Sequence, residues 1–135
     1  MAVSDALGER STVRLESGPL EYRERRTGPP IVFAHGAAVN GDLWRKVAPE
    51  LADGHRCIAP DLPLGGHSIP LEGLRAFDRP ALVAWAADDK FFPREHGRRL
   101  AELLPQGRFE LVERSRTFIP EDNPGRLVEL VRAFL

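Results

Sequence analysis

An α/β fold, with a mostly parallel sheet entered through an antiparallel hairpin and helices on both faces, is what this 135-residue sequence predicts. Three observations predict it. Short continuous apolar runs recur at residues 31–35, 56–60 and 80–87, with helical spacing between the first two, which is the pattern of strands covered on both faces. Ahead of them, two segments of alternating polarity flank Ser17-Gly18-Pro19, the signature of a hairpin. Beyond them, apolar residues return every three or four positions toward Leu135, as on one face of a helix.

Each element has a local reason. Residues 12–16 and 20–26 alternate around the Gly-Pro turn, and Val13, Leu15, Leu20 and Tyr22 are expected on the buried face. Thr27-Gly28-Pro29-Pro30 resets the chain before the run IVFAHG, which ends on His35-Gly36. Asn40 or Asp42 can cap a helix to about Ala52 carrying Leu43, Trp44, Val47 and Leu51, with Pro49 expected to bend or shorten it. Residues 56–60 form the next strand and stop at Asp61. Residues 62–79 read as loop with at most a short helix near residues 71–77. The run 80–87 ends in Asp88-Asp89. Pro93 suits the first turn of a helix to about Leu104, since its missing N–H costs little there. A strand at 108–113 and a helix after Asp122-Asn123-Pro124, with Leu127, Leu130, Val131 and Phe134 on one face, close the chain. One domain spanning 1–135 is expected at this length.

Composition narrows the function. A formal net charge of -1 lacks the basic excess that nucleic acid or an anionic membrane surface requires. The single cysteine, Cys57, excludes an internal disulfide, sits in an apolar run and reads as a buried core residue of a reducing compartment. No apolar run reaches the ~18 residues of a membrane span and no signal peptide opens the chain, so a cytoplasmic location is expected. No nucleotide cofactor is indicated.

Four segments then matter together. They are His35-Gly36 after a buried strand, residues 61–68 (DLPLGGHS) after the next, residues 85–93 (WAADDKFFP) and residues 115–124 (SRTFIPEDNP). In this order they resemble the α/β-hydrolase superfamily, in particular its haloalkane dehalogenase-like branch, over about residues 13–135. The resemblance implies that His35-Gly36, with Ala37, supplies oxyanion-loop N–H groups. It also implies that Asp61 is a mostly structural acid and that Asp89 is the acid that orients a catalytic histidine.

Two departures from the family's pattern accompany these matches. No Gly-x-Ser-x-Gly or Gly-x-Asp-x-Gly follows a strand, so the turn that presents a nucleophile is missing, along with a cap domain. Thr117 stands where the family's histidine stands, and a hydroxyl cannot serve as a general base near neutral pH. The fold class expected is therefore a minimal α/β-hydrolase-like sheet. Strand edges or apolar surface left uncovered by the shortening predict a homodimer or higher oligomer.

The carboxyl ends of the strands are where open α/β sheets bind ligands, and here they carry His35, Asp61 and Asp89, with Asp88 and His67 nearby. These are the catalytic candidates. His35, Asp61, His67 and Asp89 form a ligand set suited to Zn²⁺ or a similar divalent ion, whose bound water could attack an activated carboxylic or phosphoric ester. Two other readings stand beside this one. A metal-free esterase would use Asp89 as base or Ser68 as nucleophile, and an inactive oligomeric scaffold or binding module would keep His35 and the acids as remnants.

Overall fold

The computed structural model describes residues 5–35, 39–62 and 71–135, with the backbone alone for 71 and 72. The folded chain divides into two compact units, Met1–Gly65 and Gly66–Leu135.

In the first unit, β1 (Glu9–Leu15) and β2 (Gly18–Arg25) form the expected antiparallel hairpin, in a register that sets Val13 opposite Leu20 and Ser11 opposite Tyr22. β2 continues antiparallel to β4 (Arg56–Pro60), and β4 pairs parallel with β3 (Pro30–Val32), giving the order β1-β2-β4-β3. The burial expected of Val13 and Leu15 is corrected, for they are 40% and 47% exposed. The register explains this, because β4 pairs only with residues 22–25 of β2 and the hairpin tip extends past it. The expected helix at 40–52 is also corrected. It is a 3-10 turn, Gly41–Trp44, followed by one helical turn, α1 (Ala48–Leu51), with Pro49 in its first turn, where a proline starts a helix rather than continuing one. Val47, Ala48, Leu51, Cys57 and Ala59 are buried in this unit, and the Phe33 and Trp44 rings meet at a centroid distance of 5.2 Å.

Cys57 is 2% exposed, and burial raises its thiol pKa. The neutral thiol is thus favoured in the folded state, a contribution fully present below the unfolded pKa and lost as pH rises through the folded one. We expect Ellman's reagent at pH 8 to modify Cys57 slowly in native protein and rapidly in urea. Equal rates would mean that the strand β4 is not packed as described.

In the second unit, α2 (Leu71–Arg75) precedes β5 (Ala81–Ala86), which runs parallel to β6 (Gly107–Val112) from Ala81 opposite Gly107 to Ala86 opposite Val112. Between them α3 (Arg94–Leu103) crosses back over the pair, and α4 (Ile119–Asp122) and α5 (Pro124–Phe134) follow. Leu127 and Leu130 are buried as the spacing predicts, together with Val128. Val83, Ala101 and Leu104 form a core against which Trp85, Leu100 and Phe109 pack.

Gly97 permits the close approach of α3, since a Cβ there would lie 2.6 Å from Trp85 Cδ2 and 2.8 Å from Phe109 Cε2. Arg–Glu pairs such as Arg56–Glu24 at 2.7 Å and Arg126–Glu129 at 3.0 Å lie on the surface, and exposed pairs of this kind add little stability. Among the described strands, β3 is paired only with β4 and β5 only with β6. No helix of the described residues is long and apolar enough to cross a membrane.

Candidate active site

The sequence-predicted residues fall in both units. In the first, β3 and β4 end side by side because they are parallel, which places His35 and Asp61 just beyond their carboxyl ends. His35 is 9% exposed, and its Nε2 accepts the backbone N–H of Leu62 at 2.8 Å. That bond needs an unprotonated Nε2, so the lone pair otherwise available to a metal or a reacting proton is occupied by the chain itself. Asp61 is committed in the same way. Its Oδ1 accepts Gly41 N–H at 2.8 Å, and its own N–H donates to Glu21 O at 2.8 Å. Asp61 thereby ties the start of the 3-10 turn to the end of β4, the structural role that the resemblance implies.

Gly36, Ala37, His67 and Ser68 lie outside the described residues. Among the described residues no group of three His, Cys, Asp or Glu side chains gathers as a metal would require. The zinc expectation therefore draws no support from the residues that can be placed. A cavity of about 720 Å³ exists in the first unit, but it is lined by Gly8, Glu24, Arg26, Gly28 and Arg56, at the opposite end of β3 and β4 from His35 and Asp61.

The second unit holds an assembled site. β5 and β6 end together, and their ladder is extended by Ala87 N–H to Val112 O at 3.0 Å and Asp88 N–H to Ser115 O at 3.0 Å. The two loops that follow, 87–93 and 113–118, are thus fixed against each other at the carboxyl ends of a parallel pair. Each loop is also braced internally. In the second loop, Ser115 is 1% exposed and donates to Val112 O at 2.6 Å, Arg116 N–H donates to Asp122 Oδ2 at 2.7 Å, and Asn123 Nδ2 donates to Glu113 O at 2.8 Å. In the first, Asp89 Oδ1 accepts Phe91 N–H at 2.8 Å and Phe92 N–H at 3.0 Å, an Asx turn, and Trp85 Nε1 donates to Phe92 O at 2.9 Å.

The loops meet in one contact. Thr117 Oγ1 donates to Asp89 Oδ1 at 3.2 Å. Asp89 does not cap α3, whose N-cap is Pro93 with no side-chain bond; its carboxylate holds its own turn and receives the threonine. The same two loops carry Phe91, Phe92 and Phe118, exposed by 81%, 52% and 44%. Sequence reasoning named Asp89 and set Thr117 aside as unable to act as a base. The folded loops show that hydroxyl donating to the acid from the histidine's position. The three phenylalanines gave no periodic signal, because they lie in the two loops, within three positions of Asp89 or Thr117, rather than spaced along an element.

Comparison with known proteins agrees with this architecture. A solved esterase from Thermogutta terrifontis superposes with a TM-score of 0.78 at 14% identity, covering 93% of this chain and 97% of its own. Carboxylesterase CesB from Bacillus subtilis superposes with a TM-score of 0.79 at 8% identity, covering 96% of this chain and 93% of its own. Residues 29–74 match the family described as alpha/beta hydrolase fold. The chain has the α/β-hydrolase fold. At the level of sequence, this α/β-hydrolase-fold chain is 36% identical over 55 residues to a haloalkane dehalogenase of Mesorhizobium japonicum, which is 40% of this chain and 18% of that protein. It is 37% identical over 62 residues to a pimeloyl-[acyl-carrier protein] methyl ester esterase of Aeromonas hydrophila, 46% of this chain and 22% of that one. The chain thus spans about a fifth of the length of these two curated relatives. The stretch that matches the family includes His35 and Asp61, while Asp89 and Thr117 lie outside it.

Proposed function

We propose that this chain hydrolyses activated carboxylic esters at the Asp89 site of its second unit, without a metal. The observation that carries the reading is the carboxylate of Asp89, held by two backbone N–H groups and facing Thr117 beside exposed aromatic rings. A carboxylate fixed in this way loses no orientation when it accepts a proton from an attacking nucleophile, and its Oδ2 has no hydrogen-bond partner among the described residues. Support for the reaction class comes from the fold shared with the two esterases and from the local similarity to an ester hydrolase and a dehalogenase.

The test is hydrolysis of 4-nitrophenyl acetate before and after exhaustive chelation. Unchanged turnover in metal-free protein is expected; loss of turnover with recovery on adding Zn²⁺ would replace this reading by a metal-dependent one.

A second reading, an inactive scaffold or binding module, is favoured by His35 Nε2 and Asp61 Oδ1, each of which accepts a backbone N–H of the fold. It requires ester turnover at the buffer rate with and without added divalent ions. Under either reading we propose self-association, on the strength of the exposed Phe91 and of Val32, 62% exposed on a strand with one described neighbour. Light scattering at micromolar concentration is expected to report a dimer or larger species, and a monomer throughout would contradict it.

A further inference from the structure

We propose that Thr117 is the nucleophile of this site, taking the acyl group of an ester onto its Oγ1 with Asp89 as its base. The inference rests on the hydrolytic reading above and deepens it by naming the covalent intermediate.

Three observations carry it. The first is direction. Thr117 Oγ1 donates to Asp89 Oδ1 at 3.2 Å, so the hydroxyl proton lies toward the carboxylate and the oxygen lone pairs are turned away from it. This is the relation a hydroxyl nucleophile needs with its base. The second is rigidity. Asp89 is pinned by Phe91 and Phe92 N–H groups, and the loop carrying Thr117 is pinned through Ser115, Arg116 and Asn123, so the pair is held in place by contacts other than its own. The third is surroundings. Thr117 is half-buried, and Phe118, which follows it, and Phe91, two positions after Asp89, expose their phenyl rings, apolar surface on both loops for an acyl chain or an aryl leaving group. A hydroxyl that only replaced a lost side chain as a hydrogen-bond donor would satisfy the first observation and have no use for the third.

The step balances as an acyl transfer. Thr117 Oγ1 bonds to the carbonyl carbon as its proton passes to Asp89. The tetrahedral adduct then collapses, the bond from carbon to the leaving oxygen breaks, and a phenolate departs with the electron pair. Asp89 gives its proton to solvent, and water then attacks the acyl carbon as one of its protons passes to Asp89; the bond from carbon to Thr117 Oγ1 breaks, that proton moves from Asp89 to Oγ1, and the carboxylic acid is released. Nothing is oxidised or reduced. A leaving group as good as nitrophenolate is part of the expectation, because a carboxylate is a weak base for an alcohol and the reaction needs a reactive ester.

The experiment uses 4-nitrophenyl butyrate with the full chain. Turnover is quenched in acid during the steady state, and the digested protein is read by mass spectrometry for one butyryl group. Wild type is expected to carry it on the peptide containing Thr117. Thr117→Val is expected to carry none and to turn over at least about tenfold more slowly, whereas Thr117→Ser, which keeps the hydroxyl, retains both label and turnover. Retained rate in Thr117→Val, absence of the label from wild type, or a label confined to another residue would each overturn the proposal. If Thr117→Val is active and Asp89→Asn is not, the nucleophile falls and the Asp89 reading stands. If wild type is no faster than buffer, both fall. Circular dichroism identical to wild type separates a lost hydroxyl from a lost fold, and the serine variant provides the same control in activity.

Discussion

Replacing Thr117 with histidine is expected to raise the rate of 4-nitrophenyl ester hydrolysis at pH 7 by about 10- to 100-fold, since a positioned imidazole typically contributes 10²–10⁴-fold and here would act without a refined pocket. Thr117 meets Asp89 Oδ1 at 3.2 Å, and the phenylalanine that follows it in sequence is 44% exposed, so the loop has open space in which to place a larger ring. The carboxylate would receive one N–H of the imidazole and leave the other nitrogen to take a proton from water. A base with a pKa near the working pH then replaces the hydroxyl, and turnover no longer needs an acyl-threonine. The check is the pH–rate profile of Thr117→His. A rise through the imidazole range that is absent from wild type is expected; a flat profile at the wild-type rate would mean that the new ring does not engage Asp89.

The second large effect is on stability. Gly97→Ala is expected to destabilise the second unit by about 1 to 3 kcal/mol, the usual range for forcing an extra methyl into a packed site. The new Cβ would lie 2.6 Å from Trp85 Cδ2, 2.7 Å from Trp85 Cε3 and 2.8 Å from Phe109 Cε2, so a ring or the helix must move. Trp85 also holds Phe92 O, and Phe92 N–H holds Asp89. Displacing the indole should thus loosen the acid as well as the core. A urea midpoint lowered together with esterase activity is the expected pair of results. Gly125→Ala, where a Cβ would meet nothing within 4 Å, is the control expected to change neither by more than a few tenths of a kcal/mol.

These effects depend on tertiary contacts that periodicity does not encode. The order and type of the strands were legible because apolar runs and turn residues are local signals, and the hairpin, β4, β5, α3, β6 and α5 lie where those signals place them. The hairpin's buried face was not legible, since alternation marks two faces but not how far the neighbouring strand reaches, and β4 stops short of Val13 and Leu15. The helix after Asn40 was overextended because Leu43, Trp44, Val47 and Leu51 keep helical spacing through a 3-10 turn that Pro49 restarts as α1.

At the site, Asp89 was legible from its position before Pro93, by resemblance rather than by spacing. The resemblance also placed Thr117 opposite it, at the histidine's position, but did not reveal the role of its hydroxyl. Thr117 was judged by what a hydroxyl cannot do as a base, while the structure sets it as a donor to the acid, a hydrogen bond between residues 28 positions apart in the chain. His35 and Asp61 carried the same ambiguity in the opposite direction. Both are chemistry-bearing residues at strand ends, and both turn out to hold backbone N–H groups.

The most direct test of the Asp89 site is the steady-state hydrolysis of 4-nitrophenyl butyrate by Asp89→Asn beside wild type, both freed of metal and both shown to be folded. Asparagine keeps an oxygen for Phe91, Phe92 and Thr117 but cannot take a proton, so the fold is retained and only the base is removed. The expected result is a fall of at least about tenfold toward the buffer rate. Turnover by Asp89→Asn equal to that of wild type would contradict the account.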